Sequence, residues 1–187
     1  MHPRLAELVD YVTAQRTTLL VAVSTVPEAL RDARIDTGVW SIAEVLEHLH
    51  RVESGIARLI ARTMERGRRV GIPEEQETGS LLDSLDAYDL TRRDRRLVAP
   101  DPVAPRGGYT AAQGLAALAQ SREALLAAVR SGDGLALGGL TFPHPLLGSL
   151  DMYQWILFVG QHEARHAAQI AELGRSPTGP GPGTRSP

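Results

Sequence analysis

The chain lacks two residue types that carry much of enzyme chemistry, cysteine and lysine, so all 20 of its basic residues are arginines. Without cysteine there is no disulfide, no thiolate metal ligand and no cysteine nucleophile. Without lysine there is no Schiff-base lysine, no phosphate-loop lysine and no Ser-x-x-Lys nucleophile motif. Any chemistry must therefore come from histidine, carboxylates, hydroxyls, arginine or a bound ion.

Charge and hydropathy exclude further classes of protein. A net charge of −2 over 187 residues, with both signs mixed, provides no basic surface for nucleic acid. Apolar runs such as residues 155–159 are far shorter than a membrane span. Residues 1–14 are polar and acidic, unlike a secretory signal. We therefore expect a soluble cytoplasmic protein with neither nucleic acid nor membrane as a partner.

The apolar residues recur with helical spacing almost throughout, with no alternating strand pattern and no internal repeat. Two segments begin with a capping box, Ser41 with Glu44 and Thr110 with Gln113. A shorter helix is expected over residues 81–93 of the long second connection. The predicted long helices cover residues 3–23, 41–67, 110–131 and 149–173, with Ser149 as the last N-cap and Gly174 as the last stop.

Four long amphipathic helices joined by loops predict an all-α four-helix bundle. We assign residues 1–174 to this single domain. Residues 175–187 are rich in proline and glycine and lack apolar side chains, so they are predicted to form a flexible tail.

Two histidines four residues apart, His162 and His166, stand in the last helix. This spacing places both imidazoles on one helix face, where they can share a metal ion. With Glu163 they spell H-E-x-x-H, the zinc-protease signature in which the glutamate is the general base. A protease also needs a third ligand beyond the pair and a strand that aligns the peptide. Neither is evident here, because Gln169 and Glu172 stand where the metzincin pattern has glycine and histidine.

A third ligand from another helix suits a bundle better. The candidates are His48, His50 and His144. His48 and His50 lie on opposite edges of the apolar stripe centred on Leu49, and periodicity favours His48 only weakly. His144 lies in a loop between two prolines. Spacing alone leaves this choice open, and it also allows ordinary histidines that bind no metal.

Three segments in this order resemble the DinB-like superfamily, the damage-inducible metal-binding four-helix proteins, which are unrelated to the DNA polymerase of that name. They are WSIAEVLEHL at residues 40–49, HPLLG at 144–148 and QWILFVGQHEARHAAQI at 154–170. The resemblance extends from about residue 5 to residue 173. It implies an up-down-down-up bundle that forms a homodimer, and it identifies His48, His162 and His166 as the ligands of a divalent metal ion.

The resemblance also implies a function, a transferase that uses a low-molecular-weight thiol and an electrophilic substrate. Three imidazoles suit zinc or nickel and leave a coordination position open. Glu163 and Gln161 are candidates for hydrogen bonds that orient the metal ligands, although a structural role is favoured for both. The alternative is a non-catalytic metal-binding stress-response bundle.

Overall fold

In the part of the chain that the structure describes, four long helices form the fold, α1 Pro3–Ser24, α2 Ile42–Val70, α3 Ala111–Arg130 and α4 Met152–Arg175. The computed structural model describes residues 1–94 and 98–175. Residues 176–187 of the predicted flexible tail lie outside the described residues. Within the described ranges, no helix is both long and apolar enough to cross a membrane.

The direction of each helix follows from two clusters of buried side chains. One cluster joins the C-terminal halves of α1 and α4, through residues such as Val23 and Ile170, to the N-terminal halves of α2 and α3, through Val45 and Ala111. The other joins the opposite ends, including Leu5 of α1 and Met64 of α2. Helices α1 and α4 therefore run parallel to each other and antiparallel to α2 and α3. This confirms the predicted up-down-down-up bundle.

Each parallel pair of helices packs closely at a glycine. A Cβ at Gly114 of α3 would lie 2.8 Å from the Cβ of Leu46 on α2. A Cβ at Gly160 of α4 would lie 2.6 Å from the ring of Tyr11 on α1. Both distances are shorter than real Cβ atoms tolerate. The close packing of these two helix pairs therefore requires glycine at both positions.

Both predicted capping boxes form. The Ser41 hydroxyl accepts from the Glu44 amide at 3.2 Å, and the Glu44 carboxylate accepts from the Ser41 amide at 2.9 Å. Thr110 and Gln113 pair in the same reciprocal way. These local bonds satisfy amides that the first helical turn leaves unpaired, which explains why both helix starts could be predicted.

Three predicted boundaries were wrong. Helix α2 continues through Gly67 to Val70, because Gly67 packs against Leu140 and the left-handed Gly71, at φ +72°, is the residue that ends the helix. Helix α4 includes Gly174. Its N-terminal reciprocal pair is Asp151 with Gln154, rather than a cap at Ser149.

Ser149 lies instead in a β-hairpin that the sequence analysis missed. Strands β1, Thr141–His144, and β2, Gly148–Asp151, pair antiparallel. Each strand has only four residues, and prolines interrupt the segment. The sequence therefore has no alternating apolar pattern that predicts the hairpin. Gly148, at φ +80°, turns the chain into β2.

The long connection from α2 to α3 carries the chain back along the bundle, past α1 and α4. The predicted helix over residues 81–93 was wrong, because only a 3₁₀ turn forms there, at Asp86–Tyr88. Contacts with the helices determine its conformation instead. Arg4 donates to Glu75 at 3.2 Å, and Gln154 donates to the Ser84 carbonyl at 3.1 Å.

Two glycine-to-alanine substitutions should change stability in opposite directions. G114A should lower the free energy of unfolding by about 1–2 kcal/mol, because the new methyl group meets the Cβ of Leu46. G55A, in the interior of α2 where the new Cβ meets no atom outside the backbone of its own helix within 4 Å, should raise it by about 0.5–1 kcal/mol. Urea unfolding of both variants checks this, and a stabilising G114A would contradict the close approach.

Candidate metal centre

The three histidines predicted as ligands lie together between α2 and α4. The Nε2 atom of His162 lies 3.2 Å from that of His48 and 3.2 Å from that of His166. One ring nitrogen from each histidine lies within 4.8 Å of the other two. Three nitrogens bonded to one tetrahedral zinc ion at about 2.0–2.1 Å would be about 3.3–3.4 Å apart. The spacing of the nitrogens therefore suits one shared ion.

Hydrogen bonds behind the rings determine which nitrogen faces the centre. The Nδ1 of His48 donates to the carbonyl of Val103 at 2.8 Å. The Nδ1 of His166 lies 2.7 Å from the side-chain oxygen of Gln169, which accepts in the same way. A neutral imidazole whose Nδ1 carries the proton presents a lone pair at Nε2. Both outer histidines therefore aim lone pairs at His162.

This arrangement is incomplete without a cation. A neutral His162 has at most one proton at Nε2, so it can donate to only one of its two neighbours. At least one 3.2 Å nitrogen–nitrogen contact then has no proton between the two atoms. A divalent ion that accepts all three lone pairs removes this repulsion. The residues present therefore fit a metal ion, and they fit it through geometry rather than composition alone.

Burial favours the neutral rings that a metal requires. His48 is 4 % exposed and His166 is 7 % exposed, whereas His162 is half-buried. Desolvation lowers the pKa of His48 and lowers the pKa of His166 to about 3. Burial and the neighbouring histidines hold the pKa of His162 well below its usual range. All three rings are therefore neutral and able to bind metal at physiological pH.

Aromatic rings surround the centre. The ring of Phe158, one turn before His162, stacks on it with centroids 5.4 Å apart and planes 14° from parallel. Trp40 packs against His48 at 5.1 Å. Trp155 is buried and donates to the Phe142 carbonyl in β1. Trp40 and Phe158 therefore restrict the movement of the His48 and His162 imidazoles.

The other two candidate ligands lie elsewhere. His50 is half-buried beside Ser54 and Tyr109. His144 is in the missed hairpin, where its ring packs 4.7 Å from the ring of Phe158 and its Nδ1 accepts from the Leu146 amide. Neither belongs to the group of three nitrogens. His144 nevertheless borders the centre through Phe158.

Sequence reasoning missed both groups that orient the outer histidines. Gln169 follows His166 by three residues on the same helix face, so helical spacing could have suggested it. The Val103 carbonyl could not be found in this way, because it lies 55 residues from His48 and a backbone carbonyl has no sequence signature.

The glutamate of the H-E-x-x-H motif belongs to a separate buried network. The carboxylate of Glu163 accepts from Arg16 at 2.7 Å and from Arg122 at 2.7 Å. The carboxylate of Glu53 accepts from the same two arginines and from Ser121 at 2.6 Å. The network contains one charged residue from each helix, and its two positive and two negative charges balance.

These contacts contradict the protease pattern. Both carboxylate oxygens of Glu163 accept from guanidinium groups of α1 and α3, so these contacts hold the side chain in the ion network rather than as a base at the candidate metal centre. Two roles were considered for Glu163, orienting the metal ligands and a structural role, and these contacts fit the structural role. Gln161 is buried one residue before His162.

The sequence profile of the DinB superfamily matches residues 11–170, a range that contains all three histidines. The chain belongs to the DinB superfamily. YuaE, an uncharacterized protein of Bacillus subtilis (strain 168), is 31 % identical over 135 residues, which cover 72 % of this chain and 76 % of that protein.

The bundle also matches a solved structure. The crystal structure of TT2238, described as a four-helix bundle protein, superposes with a TM-score of 0.54 and 23 % sequence identity. The match covers 88 % of this chain and 95 % of that one. At this identity the likeness supports the fold alone.

Replacing Glu163 should reveal a structural role. E163Q should lower the free energy of unfolding by about 3 kcal/mol, because Arg16 and Arg122 lose half of their buried countercharge. E172Q on the same helix, at a half-exposed ion pair with Arg93, should cost less than about 1 kcal/mol. Urea unfolding measures both variants. An equal loss of free energy of unfolding in E163Q and E172Q would contradict a structural role of the buried network. Metal binding by folded E163Q should stay largely intact.

The metal-free protein should lose stability as the pH falls. The pKa of His166 is about 3 in the folded chain, against about 6.5 in the unfolded chain. Below about pH 6.5 the unfolded chain therefore binds a proton that the folded chain does not, so the free energy of unfolding decreases by up to about 1.4 kcal/mol per pH unit for this residue. The free energy of unfolding of H166Q, measured by urea unfolding, should change less with pH than that of the wild type between about pH 7 and pH 4. Parallel profiles would refute this linkage.

Proposed function

We propose that this protein is a metal-dependent transferase that activates a low-molecular-weight thiol for attack on an electrophilic substrate. One observation carries the proposal: the Nε2 atoms of His48, His162 and His166 converge, and hydrogen bonds behind the two outer rings direct their lone pairs to a common point. Zinc and nickel are the ions that we expect at this centre.

Three imidazoles are uncharged ligands, and this determines the chemistry proposed for the site. A divalent ion held by them keeps its full charge and an open position, and it would lower the pKa of a thiol that binds there from about 8.5. His48 and His166 supply rigid ligands because they are buried and hydrogen-bonded, whereas the half-buried His162 is the ligand nearest to solvent.

The thiol must be a cosubstrate, because the chain has no cysteine. In the proposed reaction the thiol loses its proton to solvent and its sulfur forms a bond to the electrophilic carbon. The leaving group departs with the electron pair of the bond that breaks. We place this activity in the cytoplasm and expect a homodimer, in keeping with the family resemblance.

A non-catalytic metal-binding stress-response protein is the second candidate. The observation that favours it is the burial of the centre, with two of the three rings less than a tenth exposed. A metal ion in such a site could stabilise the bundle without reaching any substrate. The two candidates differ in whether a small thiol can reach the ion.

Metal analysis tests the centre itself. Protein purified without a histidine tag should contain about one divalent ion per chain, bound at roughly 2.0–2.2 Å. H48A, H162A and H166A should each lose most of it, because each removes one of three ligands. H50A is the matched control, since His50 follows His48 by two residues on α2 but lies outside the group of three. Normal metal content in H48A, or its loss in H50A, would contradict the assignment.

Thiol binding separates the two candidates. A small thiol should change the absorption spectrum of the Co²⁺-substituted protein by adding a sulfur ligand to nitrogen-rich coordination. The change should strengthen as the pH rises, because the bound species is the thiolate, and H162A should abolish it. Unchanged spectra with several physiological thiols would favour the non-catalytic protein. A positive result would justify a screen of electrophiles for turnover.

A further inference from the structure

The side chain of Glu47, next to His48 in α2, lies 1 % exposed against the end of the long connection. Its carboxylate accepts from three consecutive backbone amides, those of Arg106 at 3.1 Å, Gly107 at 3.0 Å and Gly108 at 3.3 Å. It also accepts from Arg51 at 2.7 Å. A buried carboxylate that binds three successive amides anchors that stretch of backbone to the helix.

The anchored stretch leads directly to the metal centre. Three residues before Arg106, the carbonyl of Val103 accepts the Nδ1 proton of His48 at 2.8 Å. Glu47 and His48 are therefore adjacent on α2, and both bind residues 103–108. The Glu47 carboxylate holds the segment, and the Val103 carbonyl of the segment orients His48.

The backbone conformation of the segment makes this attachment possible. Gly107 adopts φ +71°, a left-handed conformation that other residues rarely take, and its neighbours' amides turn toward the same carboxylate. A Cβ at Gly107 would meet no atom within 4 Å, so an alanine there would disturb the backbone angle rather than the packing. The segment can thus be perturbed without touching a histidine.

We propose that Glu47 is a positioning residue of the metal centre: by anchoring residues 106–108 to α2, it holds the Val103 carbonyl where that carbonyl fixes the tautomer and orientation of His48. The inference rests on the proposed metal site. Groups that orient a ligand from behind typically contribute 10- to 100-fold to metal affinity. Glu47 acts one contact further out, so we expect the low end of that range.

Two pairs of variants test the proposal on the full-length protein. E47Q replaces an oxygen acceptor by an amide group that faces donors, and E65Q is its control, since Glu65 also pairs with an arginine four residues later on α2 but is exposed. G107A disturbs the anchored segment. G71A is its control, because Gly71 has φ +72° with equally open surroundings at the opposite end of the bundle.

Co²⁺ affinity is the first measurement. E47Q should weaken Co²⁺ binding about tenfold and G107A at least about threefold, while E65Q and G71A should stay within about twofold of the wild type. Affinities for E47Q and G107A that match those of their controls would overturn the proposal. If E47Q does not fold, G107A against G71A decides the question.

The tautomer of His48 is the second measurement, made on metal-free protein by nitrogen NMR of the imidazole. The wild type should have its proton on Nδ1, and E47Q and G107A should contain a mixture of both tautomers. An unchanged Nδ1 tautomer in both variants would overturn the proposal. Failure of the wild type to bind Co²⁺ would instead refute the proposed function, and the tautomer would then decide the role of Glu47 alone.

Discussion

The buried network of Arg16, Glu53, Arg122 and Glu163 constrains the whole bundle, because each helix contributes one of its four charges. The arginines also donate to backbone carbonyls, Arg122 to Val12 of α1 and Arg16 to Leu118 of α3. A charge left without its partner in this interior would cost several kcal/mol, so sliding any helix along its neighbours is unfavourable. The network therefore specifies one register of the four helices. The group of three histidines depends on that register, since His162 precedes Glu163 and His48 lies about one and a half turns from Glu53.

The three histidines of the candidate metal centre are supported by contacts of two kinds, those within α4 and those from the long connection. On α4, Gln169 orients His166 from the same helix, and Phe158 stacks on His162. On α2, the support for His48 comes from the connection that returns along the bundle, through the Val103 carbonyl. Three histidines held from both sides would need little rearrangement to bind an ion, and such preorganisation is what a metal site requires. The half-buried His162 leaves one side nearer to solvent.

The H-E-x-x-H motif shows how one spacing can serve two chemistries. Its histidines lie on the helix face that meets α2, as helical periodicity predicts for residues four apart. Its glutamate lies about 100° around the helix, where it meets arginines from α1 and α3 instead of a metal-bound water. The residues that pack against the helix distinguish a zinc-protease site from a three-histidine site. In this bundle the glutamate pairs with two guanidinium groups.

Local signals in the sequence determined the four helices, both capping boxes and the facing of His162 and His166, because hydrogen bonds and helical periodicity act over three or four residues. They also excluded thiol, Schiff-base and phosphate-loop chemistry within the chain. The choice of His48 over His50 and His144 was only weakly favoured by periodicity. Tertiary structure decided the hairpin that carries His144, the continuation of α2 past Gly67, the partners of Glu163 and the carbonyl behind His48. Each of these depends on contacts between residues far apart in the chain, and for such contacts local pattern carries no information.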